Sequence, residues 1–389
     1  MLKLLFEIFI VSTRLGLTSF GGPSAHLGYF HEEYVRRKKW LDEKGFADLV
    51  ALCHFLPGPA SSQVGIGIGV TRAGLLGGIV SWIGFTLPSV LLLILFAMIL
   101  QDYQLGNSPI IHGLKLVAVA IVGHAILGMG QKLAPDKIRA SIAIVTTLIS
   151  LWWMTSYTQI ILILTAGLIG YILFKQDSEA EKASISIPIS KRVAIFCLTL
   201  FVGLLILLPI LREFSSSSWL TIFESLYRSS SLVFGGGHVI LPLLEREFVP
   251  TGFVSAEDFL AGYGATQAVP GPLFTFAAYL GALMGGVWGG LLATFAIFLP
   301  SFLLVIGALP FWNDLRSNPG IQAALKGVNA AVVGILLAVF FQPLWTHTVL
   351  SVYDFGLALV LFGLLQFWKI SPWIIVVLGA GGGVLLSML

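Results

Sequence analysis

The chain has 389 residues, of which 57% are hydrophobic and 11% charged, with a net charge of +3 and a mean hydropathy of +0.94. A soluble domain carries about 25% charged residues, so the deficit and the long apolar runs exclude an ordinary soluble protein and point to a polytopic membrane protein. The small positive excess sits in a few loops, which reads as membrane topology and not as nucleic-acid binding, and the isolated Cys53 and Cys197 give neither a disulfide framework nor metal-ligand spacing.

Met1 to Phe20 reads as a first helix with Arg14 deep inside it. It runs straight into the break Gly21-Gly22-Pro23, so no cleavable leader is read there. A short segment, Ser24 to Val35, leads to the basic run Arg36-Arg37-Lys38-Lys39. Phe46–Leu56 and Ser61–Thr71 are each too short to cross about 30 Å at about 1.5 Å per residue. Joined at Pro57-Gly58-Pro59, they predict a re-entrant hairpin of two half-helices, a backbone shape tolerated at membrane depth only inside protein or along a water-filled cavity. A plain loop between two spans is the alternative. Full spans are expected near Leu75–Leu100, Ile110–Gly130, Ile138–Trp153 and Gln159–Phe174. Lys175 to Ser190 is polar and reads as a linker, and Lys191–Leu211 is an extra span with no first-half partner. The second half offers a span near Ser217–Phe234, a short segment His238–Phe248 and a hairpin Phe259–Met284 around Pro270-Gly271-Pro272. Four spans follow, near Val287–Phe311, Ile321–Phe341, Val349–Phe367 and Pro372–Met388.

The order of features is stated twice. Arg14 and Arg228, Phe20 and Phe234, and Glu33 and Glu247 are each 214 residues apart, and Pro57 and Pro270 are 213 apart. Pro88-Ser89 and Pro300-Ser301 continue the correspondence, as do Leu114-Lys115 and Leu325-Lys326. This is the signature of a duplicated unit, with repeats at residues 1–174 and 217–389 and a linker with its extra helix at 175–216. The loops Arg36–Lys44, Lys132–Arg139 and Lys175–Arg192 are basic and are expected in the cytoplasm, whereas Val249–Asp258, the counterpart of the first, holds Glu257 and Asp258 and no lysine or arginine. The second unit is therefore expected upside down. The fold class expected is an all-α polytopic membrane protein of two inverted-topology repeats with re-entrant half-helix hairpins and about 13 crossings on the spanning-length rule.

Several residues suit an anion. An arginine within a span costs roughly 2.5–3.5 kcal/mol on insertion scales, so Arg14 and Arg228 at matching positions are candidates for holding a tetrahedral oxyanion in their guanidinium forks. The alternative is that each is neutralised by a carboxylate such as Glu33 or Glu247. The glycine breaks Gly21-Gly22 and Gly235-Gly236 free backbone N–H groups for close approach, or else serve tight packing. Gly58 and Gly271 sit in turns that precede half-helix N-termini, whose partial positive charge suits an anion, and Ser61, Ser62 and Thr275 would add hydroxyl donors. Lys115 and Lys326 add a matched pair, with snorkelling the default. Glu33 and Glu247 are the best proton carriers, with His26 and His238 as weaker ones that more readily read as satisfied interfacial histidines. No metalloprotease, serine-hydrolase or P-loop signature is present, so no enzyme, cofactor or metal is expected, and uphill transport would draw on an ion gradient.

The lines FGGPSAHLGYFHEEYV and LPGPASSQVGIGIGVTRAGLLGGIVSWIGFTLPS, with LVFGGGHVILPLLEREFV and QAVPGPLFTFAAYLGALMGGVWGGLLATFAIFLPS in the second half, resemble the chromate ion transporter family in its long two-domain form. The resemblance covers nearly the full length. It implies an inner-membrane efflux carrier for chromate, driven by a proton gradient, in an inverted-repeat topology. The partners then expected are chromate or a related tetrahedral oxyanion, protons and the lipid bilayer, with homodimerisation left open. A sulfate or other oxyanion carrier, and a passive anion channel, are the other functions the sequence leaves open. Two departures stand out: Gly235-Gly236-Gly237 replaces Gly21-Gly22-Pro23, and the basic loop after Glu33 has no counterpart after Glu247.

Overall fold

The computed structural model describes residues 1–102, 108–153, 156–175, 189–215, 217–234 and 237–388, and every regular element among them is helical. The break at Gly235-Gly236 lies outside the described residues. The first half begins with α1 (Leu2–Thr18) and α2 (Gly22–Phe30), which continues as a π-helix His31–Arg37. Then come α3 (Glu43–Phe55), α4 (Ala60–Asp102), α5 (Pro109–Leu133), α6 (Lys137–Trp152) and α7 (Ser156–Phe174). The extra helix is α8 (Lys191–Glu213). The second half holds α9 (Ser218–Ser231), α10 (Ile240–Phe248), α11 (Ala256–Thr266), α12 (Phe276–Ala308), the short α13 (Trp312–Arg316), α14 (Pro319–Val339), the short α15 (Thr346–Thr348), α16 (Val352–Gln366) and α17 (Pro372–Leu386).

Two elements are not single rods. Helical angles fail at Ala73 and Gly74 in α4 and at Gly285 and Gly286 in α12. At the first break the chain doubles back, because Gly69 packs on Gly77, and Gly65 O accepts from Ser81 Oγ. At the second, Gly281 meets Gly289. Sequence reading had placed a span start near each position without seeing the tight fold. Residues 60–72 are also antiparallel to α3, with Leu49 against Gly67, and α11 lies likewise against α12, with Gly262 against Tyr279. Each Pro-Gly-Pro thus joins two short antiparallel helices; α3 has 13 residues and α11 has 11, about 20 Å or less at 1.5 Å per residue.

The long arms of α4 and α12 run antiparallel through the middle. Trp82 packs on Phe298 and Phe302, Ile94 reaches Gly290, and Gln101 Nε2 donates to Leu283 O at 2.8 Å. The outer helices interleave. α5 of the first half packs on α16 and α17 of the second, and α14, its second-half counterpart, packs on α6 and α7 of the first. These seams are made of small residues: a Cβ added to Gly113 would lie 2.1 Å from Gly379 O, one on Gly327 2.0 Å from Ala166 O, and one on Gly334 2.2 Å from Ala143 O. Close backbone approach of this kind is how helices associate where water supplies no driving force. The two sequence units are therefore interlocked bodies and not side-by-side globules.

Five helical stretches among the described residues are long and apolar enough to cross a membrane, namely Ala60–Asp102, Pro109–Leu133, Lys191–Glu213, Leu273–Phe311 and Pro319–Thr348. Large apolar side chains face outward along α4, α7, α8 and α16, among them Leu91, Leu95, Leu164, Phe196 and Leu359, an arrangement that a water-soluble surface does not tolerate.

The seams set a packing test. Gly327→Ala should lower thermal stability in detergent by about 1–3 kcal/mol, the cost of overpacking. Gly128→Ala, where an added Cβ meets nothing within 4 Å, should be neutral or stabilising by up to about 1 kcal/mol, because alanine favours the helix. Equal melting temperatures for the two variants would contradict the seam.

Candidate functional site: the crossing of the two turns

The irregular backbone of each half is satisfied by the other half. Gly58 N–H donates to Val233 O at 2.7 Å, and Gly271 N–H donates to Ser19 O at 2.9 Å. Ser19 and Val233 are repeat counterparts, each just after the helix that carries the matched arginine, so the two bonds are the same bond made twice. Gly58 (φ +116°) and Gly271 (φ +103°) hold backbone angles that a side chain opposes. There is no room for one either: a Cβ on Gly58 would meet Gln63 Nε2 at 2.8 Å and Ser301 Oγ at 2.9 Å, and on Gly271 it would meet Ser89 Oγ. Ser89 and Ser301 are the matched Pro-Ser serines, each reaching into the other half's turn.

The polar groups around the two turns are in different states. At the second-half turn the two matched hydroxyls are used: Ser89 Oγ donates to Pro270 O at 2.6 Å and Thr275 Oγ1 to Pro272 O at 2.6 Å, while Gln267 Nε2 and Ser19 Oγ are buried beside it without a hydrogen-bond partner. At the first-half turn, Gln63 Nε2 donates to Pro57 O at 2.7 Å, and Ser61 Oγ lies 3.2 Å from His26 Nδ1. Ser62 Oγ, Ser301 Oγ, Gln63 Oε1 and His26 Nε2 are buried there without a hydrogen-bond partner. Between Gly21-Gly22 of the first half and Gly271 of the second lies a narrow cavity of about 20 Å³, also lined by His238, Thr266 and Gln267. His238 Nδ1 is 2.7 Å from Tyr263 OH.

The arginines are paired, which is the alternative that the sequence left open. Arg14 Nη2 lies 2.7 Å from Glu33 Oε2, and Arg37 Nη1 shares that oxygen at 3.1 Å. Glu33 is buried, while the Arg14 side chain is 52% exposed. Arg36 lies 3.5 Å from Glu32. In the second half, Arg228 is 18% exposed and bridges Glu224 at 2.5 Å and Glu247 at 2.8 Å. Arg212, from the end of α8, joins Glu224 at 2.8 Å and Glu247 at 3.7 Å, and Ser225 Oγ donates to Glu247 at 2.9 Å. Two carboxylates and two guanidiniums make that cluster neutral.

Lys115 is buried, with Glu257 and Asp258 as its nearby opposite charges. Lys326 is half-buried and already engaged. Sequence reading missed Glu224 and Arg212, although Glu224 stands one helical turn before Arg228, the spacing at which opposite charges meet. It noted the Pro-Ser pairs without seeing that their hydroxyls reach the opposite turns.

Interlocked apolar helices around a polar crossing of broken backbone define a multi-pass membrane protein of the transporter class. The chain belongs to the chromate transporter family, whose pattern it matches twice, over residues 6–171 and 220–384. It is 27% identical over 394 residues to the chromate transport protein of Pseudomonas aeruginosa, covering 97% of this chain and 90% of that one. It is 28% identical over 338 residues to an uncharacterized transporter of Methanocaldococcus jannaschii, covering 86% and 83%. An uncharacterized transporter of Bacillus subtilis is 32% identical over 171 residues, which span 93% of that protein and only 43% of this chain, so that relative is about one repeat long. No solved structure matches.

The charge clusters make separable predictions. Arg228→Gln leaves Glu224 and Glu247 short of a buried counter-charge and should cost about 3–5 kcal/mol, the penalty for breaking a buried pair. Arg14→Gln should cost much less, since its guanidinium is half in solvent and Arg37 still holds Glu33. Thermal unfolding of the two purified variants measures the difference; a larger loss for Arg14→Gln would contradict it.

Proposed function

We propose that this protein is a secondary transporter that exports chromate across the inner membrane by exchange with protons, and that the crossing of the two Pro-Gly-Pro turns is where the anion sits. The observation that carries the proposal is the reciprocal pair Gly58 N–H to Val233 O and Gly271 N–H to Ser19 O. It puts both broken segments, two half-helix N-termini and several buried hydroxyls at one place. Helix N-termini attract anions through their free N–H groups and dipole, and irregular backbone in a membrane protein belongs where a cavity is lined. Family membership supports chromate as the substrate: two relatives are named chromate transport proteins.

The antiparallel run of the matched long arms in α4 and α12 supports an inverted orientation of the two repeats, with the basic loops cytoplasmic and the acidic loop Val249–Asp258 outside. Glu33 and Glu247 occupy the guanidiniums of Arg14 and Arg228 as an oxyanion would. A proton on Glu33 would free Arg14 and Arg37, and a proton on Glu247 would leave Arg228 held by Glu224 alone; the positive charge left uncompensated is how we propose that proton loading and anion affinity are linked. His26 and His238, close to the turns, are further proton sites in the same scheme, and Lys115 and Lys326 would raise the local anion concentration.

Everted membrane vesicles test the transport claim. Export predicts chromate accumulation that depends on an imposed pH gradient and collapses with a protonophore; accumulation indifferent to both would mean a passive pore. Excess sulfate that abolishes uptake would favour the broader oxyanion reading. Orientation is read by placing single cysteines at 40 and 253, against low background because Cys53 and Cys197 are buried. Labelling from opposite faces is expected, and labelling from one face would refute the inversion.

A further inference from the structure

We propose that the anion seat is one-sided: the first-half turn alone holds the oxyanion, through Ser62, Ser301 and the N-terminus of residues 60–72, with His26 beside them, while the second-half turn is its fixed structural counterpart. The inference rests on the transport reading above and divides the crossing into two unlike halves.

The two turns have the same backbone, so a symmetric binding site would leave matched donors in matched states. They are not matched. Ser89 Oγ is committed to Pro270 O and Thr275 Oγ1 to Pro272 O. Their opposites at the first turn are uncommitted: Ser301 Oγ lies against Gly58, and Ser62 Oγ stands in the first turn of the helix, both buried and without a hydrogen-bond partner. Ser301 is 0% and Ser62 2% exposed. The difference traces to Gln63, which caps Pro57 O from within its own half and so takes the acceptor that Ser301 would otherwise use. Phe276 stands at the equivalent position and offers no such group. Gln63 keeps an unpartnered acceptor, Oε1, and the second N–H of its Nε2.

A buried hydroxyl with no partner is costly, about 1–3 kcal/mol for the desolvated group, and buried polar groups are otherwise nearly always paired. Two of them beside a 13-residue helix N-terminus supply O–H donors where the backbone already offers the N–H groups of the first turn. His26 adds a ring held by Ser61 through Nδ1, with Nε2 free. All these donors are neutral or a histidine, which suits a tetrahedral oxyanion bound by hydrogen bonds and not by the already neutralised arginines. Because Ser301 comes from the second half and Ser62 from the first, the bound anion would bridge the two repeats.

The unpaired state of the hydroxyls gives the experiment its discriminating power. Ser62→Ala and Ser301→Ala remove groups that bond nothing in the free protein, so thermal stability without anion should be unchanged or slightly higher. Ser89→Ala and Thr275→Val remove bonds that are made, so stability should fall. Affinity should behave the other way. In proteoliposomes, KM for chromate should rise about tenfold to a hundredfold for Ser62→Ala and Ser301→Ala, the loss of a hydrogen bond to a charged group at about 1.5–3 kcal/mol, and stay within about twofold for the other two. Chromate-dependent thermal stabilisation of the purified protein should shrink in the same order. Unchanged KM for both Ser62→Ala and Ser301→Ala, or an equal rise in all four variants, overturns the one-sided seat. If the wild-type protein takes up sulfate and not chromate, the substrate assignment fails, and the same variants measured on sulfate decide the seat. A wild-type protein that takes up and binds neither anion overturns both proposals.

Discussion

The structure depends on one constraint: backbone broken inside an apolar protein must find its hydrogen bonds within the protein. The chain breaks after α1 and after α9, and again at each Pro-Gly-Pro. The solution is mutual. The glycine N–H of one half's turn is taken by the carbonyl that ends the other half's first helix, and the reverse bond is made too. Neither half can satisfy its own break, so the two must come together in one register. That register fixes where the half-helix N-termini point and which side chains surround them. The matched serines, each pressed against the opposite glycine, and the antiparallel middle arms of α4 and α12 are consequences of it.

Charge is handled separately from the crossing. The buried carboxylates Glu33 and Glu247 hold the guanidiniums of Arg14 and Arg228, and the second cluster has acquired Glu224 and Arg212, for which the first half has Ile10 and no extra helix. Desolvated charges survive only when paired, so the more enclosed second cluster carries the larger set of partners. The two halves share a backbone plan and differ in its electrostatic completion.

Much of the plan was legible in the sequence because duplication repeats constraints that packing alone would blur. Pro-Gly-Pro between two short apolar runs, stated twice, can be little else than a tight turn between half-helices, and α3, α11 and the first arm of α4 stand where that reasoning puts them. Ser190, Asp136 and Ser108 cap the helices that begin at residues 191, 137 and 109. What could not be read was anything depending on which surfaces meet. Gly74 and Gly286 sit among other glycines, and only the contact of Gly69 with Gly77 shows that the chain reverses there. The arginines were legible as costly, with pairing to Glu33 and Glu247 as one alternative; the sequence could not choose it, because those carboxylates lie 19 residues away along the chain. The unlike states of Ser301 and Ser89 trace to Gln63, which takes Pro57 O while Pro270 O is left to Ser89, so no reading of either repeat alone distinguishes them.

The exchange of outer helices has a consequence for synthesis. The Gly113 face of α5 is covered by α17, whose residues 372–386 are made long after it. Until then the earlier half must wait in the bilayer with that groove open to lipid, and the seams of α6 and α7 remain unfilled until α14 is made. The finished architecture therefore cannot be assembled by completing one repeat and then adding another; the outer helices of the first repeat stay uncovered until their partners in the second are made.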